Sequence, residues 1–381
     1  MWGTKFVLEV VKRLQKKVDI EIFIQNWDPK IIKKFTDEWI KVNNFRSLST
    51  NSKLFWFFLP YICIKNANTL QNELKRWRFD TVVTNMFPMN YIATKLKWFN
   101  IYQYCYEPFA FFWDKEMLKW YGFMFRFILK ILKLLYGKLD IYWTKYGKKV
   151  FTLVPEISDS IRNIYGINSI VTYLWIDTDF FSKKDWSLIP VVIKNIVKAK
   201  KILLHSNDFT PIKRLDFVLQ IMKEIKKKRN DIVCLITTSI PDKNKLKQLQ
   251  EKIEKMWIDD VIIVLGFVDY NLLPQYYSIS DLWLYTWTSQ GCWTSAASLT
   301  VLEWMACWLP FLRTNDTDHE VLDKINWFLL DPYDLQKWAD TILTNIDNHQ
   351  LLQDFSKNAS NHIITKYNRD SVADIIFTNL H

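Results

Sequence analysis

The chain has 381 residues, 49% of them hydrophobic, and a formal net charge of +11. That length suits two domains with full cores, and the charge suits an anionic partner such as nucleotide phosphate, anionic lipid or nucleic acid. The five cysteines (Cys63, Cys105, Cys234, Cys292 and Cys307) form no Cys-x-x-Cys pair, which argues against a zinc site or a disulfide framework and for a reducing compartment.

An amphipathic helix over residues 5–16 comes first, followed by a strand over 18–24. Helix then strand is half of an alternation. The strand expected before that first helix is missing, as a gene start read too late or a truncated piece would leave it. No basic leader followed by an apolar segment opens the sequence, so no signal peptide is expected. The longest apolar run, residues 54–64, contains Pro60 and is shorter than the roughly 20 residues that span a bilayer. Strands are predicted at 80–84 and 101–106, with helical patterns between them. Residues 123–139 form a basic, aromatic helical stretch in which Arg126, Lys130, Lys133 and Lys138 interrupt an excess of apolar positions. Two readings stay open: a helix lying at a membrane surface, or a core helix with snorkelling lysines. Short strands follow at 151–154 and 170–174.

A boundary is expected near 182–192, which is polar and then carries Pro190. A second alternating series follows: strand 201–205, loop 206–213, helix 215–228, and strands 232–237, 261–265 and 282–285. The stretch 298–314 then organises this half. Leu299, Leu302, Met305 and Ala306 fall close to one helical face, Ser298 is a good N-cap, and Pro310 stops the helix before the short strand Phe311-Leu312. The start of such a helix offers free backbone N–H groups and positive dipole to a phosphate. Helices at 351–367 and 371–380 end the chain. Two alternating halves predict an α/β protein of two doubly wound domains facing a cleft, with ligands at the carboxyl ends of the strands.

Glycine and tryptophan usage is unusual. Glycine numbers 7 and tryptophan 19; average glycine usage is about 7%, which is what the two together would give. Position agrees. Trp308 stands where the chain leaves a helix for a strand, a place that glycine normally fills. Trp257 ends a polar helical stretch, Trp327 follows Asn326 where Asn-Gly would make a tight turn, and Trp175 separates a strand from polar residues. Certain bacterial lineages read UGA as glycine, and translation with tryptophan at UGA would leave this signature. The alternative is a protein that is rich in tryptophan and poor in glycine. Trp338, in a helical context, fits a genuine tryptophan.

Several stretches in fixed order resemble the GT-B glycosyltransferases, specifically the large retaining family 4. Trp175-Ile176-Asp177-Thr178-Asp179-Phe180-Phe181 resembles the family's Gly-Val-Asp-Thr-x-x-Phe. Pro211-Ile212-Lys213-Arg214-Leu215-Asp216 resembles its Pro-x-Lys-Arg-x-Asp run, and Val264 to Val268 resembles the loop near the nucleobase. Glu303-Trp304-Met305-Ala306-Cys307-Trp308-Leu309-Pro310 is similar to Glu-Ala-Met-Ala-Cys-Gly-Leu-Pro, and Asn326-Trp327-Phe328-Leu329-Leu330 to Asn-Gly-x-Leu-Leu.

The resemblance implies two Rossmann-like domains, an acceptor-side domain over 1–182 and a nucleotide-sugar domain over 183–358, with a helix over 359–381 returning toward the first. It implies a cytoplasmic hexosyltransferase-type enzyme, placed at the inner face of the membrane if residues 123–139 lie there. Such an enzyme moves sugar from a nucleotide-diphosphate donor to an acceptor hydroxyl with retained anomeric configuration. It needs neither cofactor nor metal. The acceptor is a glycan or lipid-linked glycan of the cell envelope. Lys213 would hold the leaving diphosphate, where charge develops in the transition state. Glu303 would accept hydroxyls of the donor's ribose. The N–H groups of Leu299 and Thr300 would cradle the diphosphate beside Ser298. Asn207, Asp208 and Ser295 fall on the donor side, and Phe267 and Val268 border the base. Gly3 resembles the end of the family's glycine loop, and Cys105-Tyr106-Glu107-Pro108 its Cys-His-x-Pro, which puts Gly3, Tyr106 and Glu107 on the acceptor side.

Three positions depart from the pattern: Ser295 replaces a second glutamate, Asp208 an arginine and Tyr106 a histidine. These favour a second possibility, a degenerate member that binds nucleotide-sugar or glycan without turnover. Nucleic-acid binding fits poorly, because the basic residues are dispersed.

Overall fold

The computed structural model describes residues 2–25, 29–45, 53–76, 79–85, 90–96, 98–119, 121–185, 194–195, 200–238, 241–288, 299–315, 325, 327–367 and 369–380. The chain divides into two units: Met1–Trp175 with Tyr367–His381, and Ile176–Gln290 with Ser295–Lys366.

The first unit runs α1 (Trp2–Leu14), β1 (Glu21–Gln25), α2 (Pro29–Thr36), β2 (Lys41–Phe45), α3 (Lys53–Arg76), β3 (Thr81–Asn85), α4 (Asn90–Ala93) and β4 (Asn100–Tyr104). It continues with α5 (Ala110–Trp113), α6 (Lys115–Leu118), α7 (Phe123–Lys145), β5 (Val150–Thr152), α8 (Pro155–Tyr165) and β6 (Ile170–Val171). Strands β3, β4, β5 and β6 lie side by side in that order, all parallel, while β1 pairs in parallel with β2. The sequence did not announce β2, because its Lys41, Asn43 and Asn44 hide any apolar alternation. Helix α3 passes through Pro60: the missing backbone bond is outweighed by burial of Phe55, Leu59, Ile62 and Cys63 in the unit's core. Strand β6 is shorter than expected because Tyr173 turns to a φ of 63°. The C-terminal helix Arg369–Asn379 returns to this unit as expected. Its Asp370 and Asp374 pair with Arg13 and Lys17 beside α1, at 2.7 and 2.5 Å.

The second unit runs β7 (Lys201–Asn207), α9 (Leu215–Lys226), β8 (Ile232–Thr238), α10 (Lys243–Lys255), β9 (Ile262–Phe267) and α11 (Leu273–Ile279). Then come β10 (Leu282–Tyr285), α12 (Leu299–Ala306), β11 (Phe311–Thr314), β12 (Phe328–Leu330), α13 (Leu335–Asn345) and α14 (His349–Lys366). Its six strands are all parallel, in the order β12-β11-β10-β7-β8-β9. Helices cover the sheet, so β8 is apolar along most of its length and wholly buried, with Ile232, Cys234 and Ile236 packing against α9 residues such as Val218 and Ile221. The strand order reverses between β7 and β10. That reversal is the topological switch point, the place where open α/β sheets bind their ligands.

Three helices end in the same way. After α2, Trp39 N–H donates to Thr36 O and Ile40 N–H to Phe35 O, at 3.0 and 3.1 Å. After α10, Trp257 N–H donates to Glu254 O and Ile258 N–H to Ile253 O, at 3.0 and 3.3 Å. After α12, Trp308 N–H donates to Met305 O and Leu309 N–H to Trp304 O, at 3.3 and 3.0 Å. These are Schellman caps, and in each the left-handed position holds tryptophan, with φ of 61°, 59° and 62°. Trp98 is left-handed too, at 75°. The expectation of a glycine-type cap at Trp308 and Trp257 therefore holds for the backbone. Trp175 and Trp327 are not among the residues of positive φ, so the backbone places no such demand there. Trp327 is instead fully buried and stacks on Phe311, with centroids 4.1 Å apart. The buried Nε1 atoms of Trp283, Trp304 and Trp327 have no hydrogen-bond partner among the described residues. Trp338 in α13 differs: its Nε1 donates to Asp331 O at 2.9 Å, and its ring packs edge-on against Phe217.

Candidate functional site

The second unit's crevice is built from the ends of β7 and β10. Strand β7 is buried to its last residue, so the loop after it starts from a fixed point. Asn207 Oδ1 accepts from Phe209 N–H at 2.5 Å, and Asp208 Oδ1 accepts from Thr210 N–H and Oγ1, at 3.0 and 2.5 Å. These side-chain-to-backbone bonds shape the turn that Pro211–Lys213 then tightens. Two bonds tie this loop to the one after β10: Thr286 Oγ1 donates to Lys213 O at 3.0 Å, and Thr288 N–H to Ile212 O at 3.1 Å. Arg214 takes a left-handed conformation, donates to Pro332 O, and lays its guanidinium over Phe217 and Tyr333.

Lys213 is thereby held at the topological switch point, with Nζ 2.5 Å from the centroid of the Trp287 indole. Burial pushes its pKa down from 10.5 to about 7, and the Asp208 carboxylate opposes that shift. His205 lies wholly buried on β7, with Nδ1 3.0 Å from Leu284 O. A carbonyl only accepts, so Nδ1 carries the proton. Burial, against the Leu284 hydrogen bond and with a smaller push from the Lys213 charge, lowers this imidazole to about 4, so it is neutral at physiological pH. His205 is one of five scattered histidines, none of them in a motif that singles it out. Its place at the end of a buried strand, eight residues before Lys213, is the only available signal.

Glu303 is buried in α12, and its Oε2 accepts from Tyr277 Oη at 3.3 Å. Burial first, and the Glu303 charge second, push the Tyr277 phenol well above its usual range. Leu299 and Thr300 form the first turn of α12 and are half-buried. Phe267 ends β9, half-exposed, with Val268 next to it. Ser295 and Ser298 lie outside the described residues. The structure brings Lys213, Asp208 and Asn207 together in one loop with His205 and Trp287 against it. Glu303 sits among a separate aromatic group of Tyr277 and Tyr270, and Phe267 at the end of another strand.

The residues expected on the acceptor side belong to the first unit. Gly3 lies in the first turn of α1. Tyr106 sits in a ring group, with centroids 4.9 Å from Tyr104 and 5.9 Å from Phe6, and burial raises its phenol. Glu107 is raised to about 7, by burial first and then by the Asp114 charge.

Residues 192–362 match the family model described as glycosyl transferases group 1. A curated poly(ribitol-phosphate) alpha-N-acetylglucosaminyltransferase of Staphylococcus aureus (strain COL) is 25% identical over 181 residues, 46% of this chain and 34% of that one. The chain thus spans about a third of the length of that relative. Among solved structures, a glycosyltransferase from Rickettsia africae ESF-5 superposes with a TM-score of 0.73 at 18% identity, covering 99% of this chain and 93% of that one. HepE of Anabaena in complex with UDP gives 0.73 at 13%, covering 99% and 95%. At these identities the structural likeness shows the fold alone, and that fold is GT-B.

Proposed function

We propose that the chain is a retaining family 4 glycosyltransferase that moves a hexosyl group from a nucleotide-diphosphate donor to an acceptor hydroxyl in cell-envelope polymer synthesis. One observation carries this reading: a half-buried lysine, Lys213, at the switch point of a parallel sheet, with desolvation lowering its pKa to about 7. A buried ammonium without a paired anion is costly, and a bound diphosphate would supply that anion. As the glycosidic bond breaks, charge grows on the leaving phosphate, and Lys213 together with the N–H groups of Leu299 and Thr300 would stabilise it. These groups supply positive charge from the chain itself, so the reaction is proposed without metal or cofactor. Glu303 would accept the ribose hydroxyls, and Phe267 and Val268 would border the base. The relatives support the donor and acceptor classes: HepE is seen with UDP, and the staphylococcal relative is named for transfer of N-acetylglucosamine to poly(ribitol-phosphate). A cytoplasmic enzyme using a glycan or lipid-linked acceptor fits both.

We further propose that the native residue at Trp39, Trp98, Trp257 and Trp308 is glycine, on the strength of their left-handed backbone. Reading the codons decides it; UGG at these positions would end the idea.

A second reading, nucleotide-sugar binding without turnover, draws on Trp287 covering Lys213 and on Asp208 and Ser295 at departing positions. The experiment measures nucleotide release and transfer from UDP- and GDP-sugars, with the product anomer read by NMR. Transfer that Lys213→Ala lowers by about 100-fold supports the enzyme. Tight UDP binding with no turnover supports the second reading.

A further inference from the structure

Helix α7 is apolar on two opposite faces, and among the described residues only one of them is packed into the core. The inner face is fixed by specific contacts. Tyr136 Oη donates to Trp56 O at 2.7 Å, and the buried Asp140 accepts from Trp113 Nε1 at 2.7 Å and Tyr165 Oη at 3.0 Å. Trp143 packs edge-on against Tyr91 with centroids 4.4 Å apart. At 100° per residue, Met124, Phe127, Ile131, Leu134, Leu135 and Tyr142 all point the other way. They are exposed, from 43% for Ile131 to 82% for Leu134. From Met124 to Tyr142 the stripe runs about 27 Å. Phe57 and Tyr61 of the neighbouring α3 are exposed as well, at 78% and 64%.

A contiguous apolar stripe of this length on a water-facing surface marks an interaction site. Charge says what covers it. Lys130, Lys138 and Lys145 are exposed along the stripe, and none has an ion-pair partner among the described residues. The only carboxylate in α7 is Asp140, which faces inward. A second copy of the chain packed on this face would oppose lysine to lysine. An anionic bilayer would receive the apolar side chains at the acyl boundary and the ammonium groups among its headgroups.

We propose that the outer face of α7 docks the protein on an anionic lipid surface, lying in the interface plane. The inference is independent of the transfer reading, since it concerns lipid and not donor.

The test is flotation of the full chain with vesicles of phosphatidylcholine alone and with phosphatidylglycerol added. Binding is expected to the anionic vesicles, and raised salt is expected to weaken it. Ile131→Asp with Leu134→Asp is expected to lower it at least about tenfold. Lys130→Glu with Lys138→Glu is expected to lower it similarly, since each basic side chain at an anionic surface is worth about fivefold in affinity. These side chains are exposed, and an unchanged thermal midpoint will confirm folding. Equal binding of the variants, or no binding to either vesicle, overturns the proposal. So does a concentration-dependent dimer, seen by light scattering without lipid, that Ile131→Asp dissolves while vesicle binding is absent.

Discussion

The Lys213 ammonium sits against the face of the Trp287 indole, 2.5 Å from its centroid, where the loops leaving β7 and β10 meet. The indole fills the space in front of the cation that a phosphate would need. Trp287→Gly is therefore expected to tighten UDP binding about tenfold, measured by calorimetry. The double variant with Lys213→Ala should lose that gain. Weaker binding by Trp287→Gly would mean that the indole is part of the donor site.

Lys213 also predicts a pH dependence. Its pKa is about 7 in the folded chain against 10.5 as the ordinary value. A bound diphosphate favours the charged form, so UDP affinity should be level below pH 7. Above it, affinity should fall by up to about tenfold per unit until the bound-state pKa is reached. Lys213→Arg should flatten the curve, because guanidinium stays charged. Folding runs with the opposite sign. Between pH 7 and 10.5 the unfolded chain holds a proton that the folded chain has lost, so this group makes stability rise with pH across that window. Below pH 7 its burial penalty is present in full. A wild-type affinity curve without a break near 7 would contradict the assignment.

Glu303 tests the other side of the donor. Its Oε2 accepts from Tyr277, which fixes the carboxylate inside a buried aromatic group. Glu303→Gln keeps the shape and removes the charge. It should weaken nucleotide-sugar binding by about 10- to 100-fold, the worth of a charged hydrogen bond. Tyr277→Phe should give a smaller loss. No change in affinity for Glu303→Gln would remove Glu303 from the site.

The helix caps separate two kinds of tryptophan. Trp39, Trp257 and Trp308 sit left-handed at Schellman caps, where a side chain costs about 1–2 kcal/mol over glycine. Each Trp→Gly change there should raise stability by about 1 kcal/mol in urea unfolding. Trp338→Gly should do the reverse, by about 3–5 kcal/mol, because that ring is core and its Nε1 bonds Asp331 O. If all four variants lose stability alike, the caps are adapted to tryptophan.

Much of the second unit was legible because its signals are local. Residues 201–205 and 232–237 are apolar runs in a covered sheet, and Trp308 and Pro310 close one helix. The switch point itself was not legible. It depends on β10 pairing with β7 and not with β9, a long-range choice that no spacing encodes. Trp287 and His205 were missed for the same reason, since each matters only once the two loops meet. In the first unit, β2 was hidden by polar residues and α3 by Pro60, and both were decided by tertiary packing.

Glu107 offers the last test, within the first unit alone. Burial, and then the Asp114 charge, raise its carboxyl from 4.5 to about 7. The folded chain therefore keeps a proton that the unfolded chain has released between those values. By linkage, this group makes stability fall as pH rises from 4.5 to 7, and the cost of the buried charge is complete above 7. Glu107→Gln is neutral throughout and has nearly the same shape. It should match wild type near pH 4.5 and exceed it increasingly up to pH 8, followed by thermal midpoints at matched ionic strength. A constant difference across that range would place the proton elsewhere and would leave Glu107 charged in the folded state.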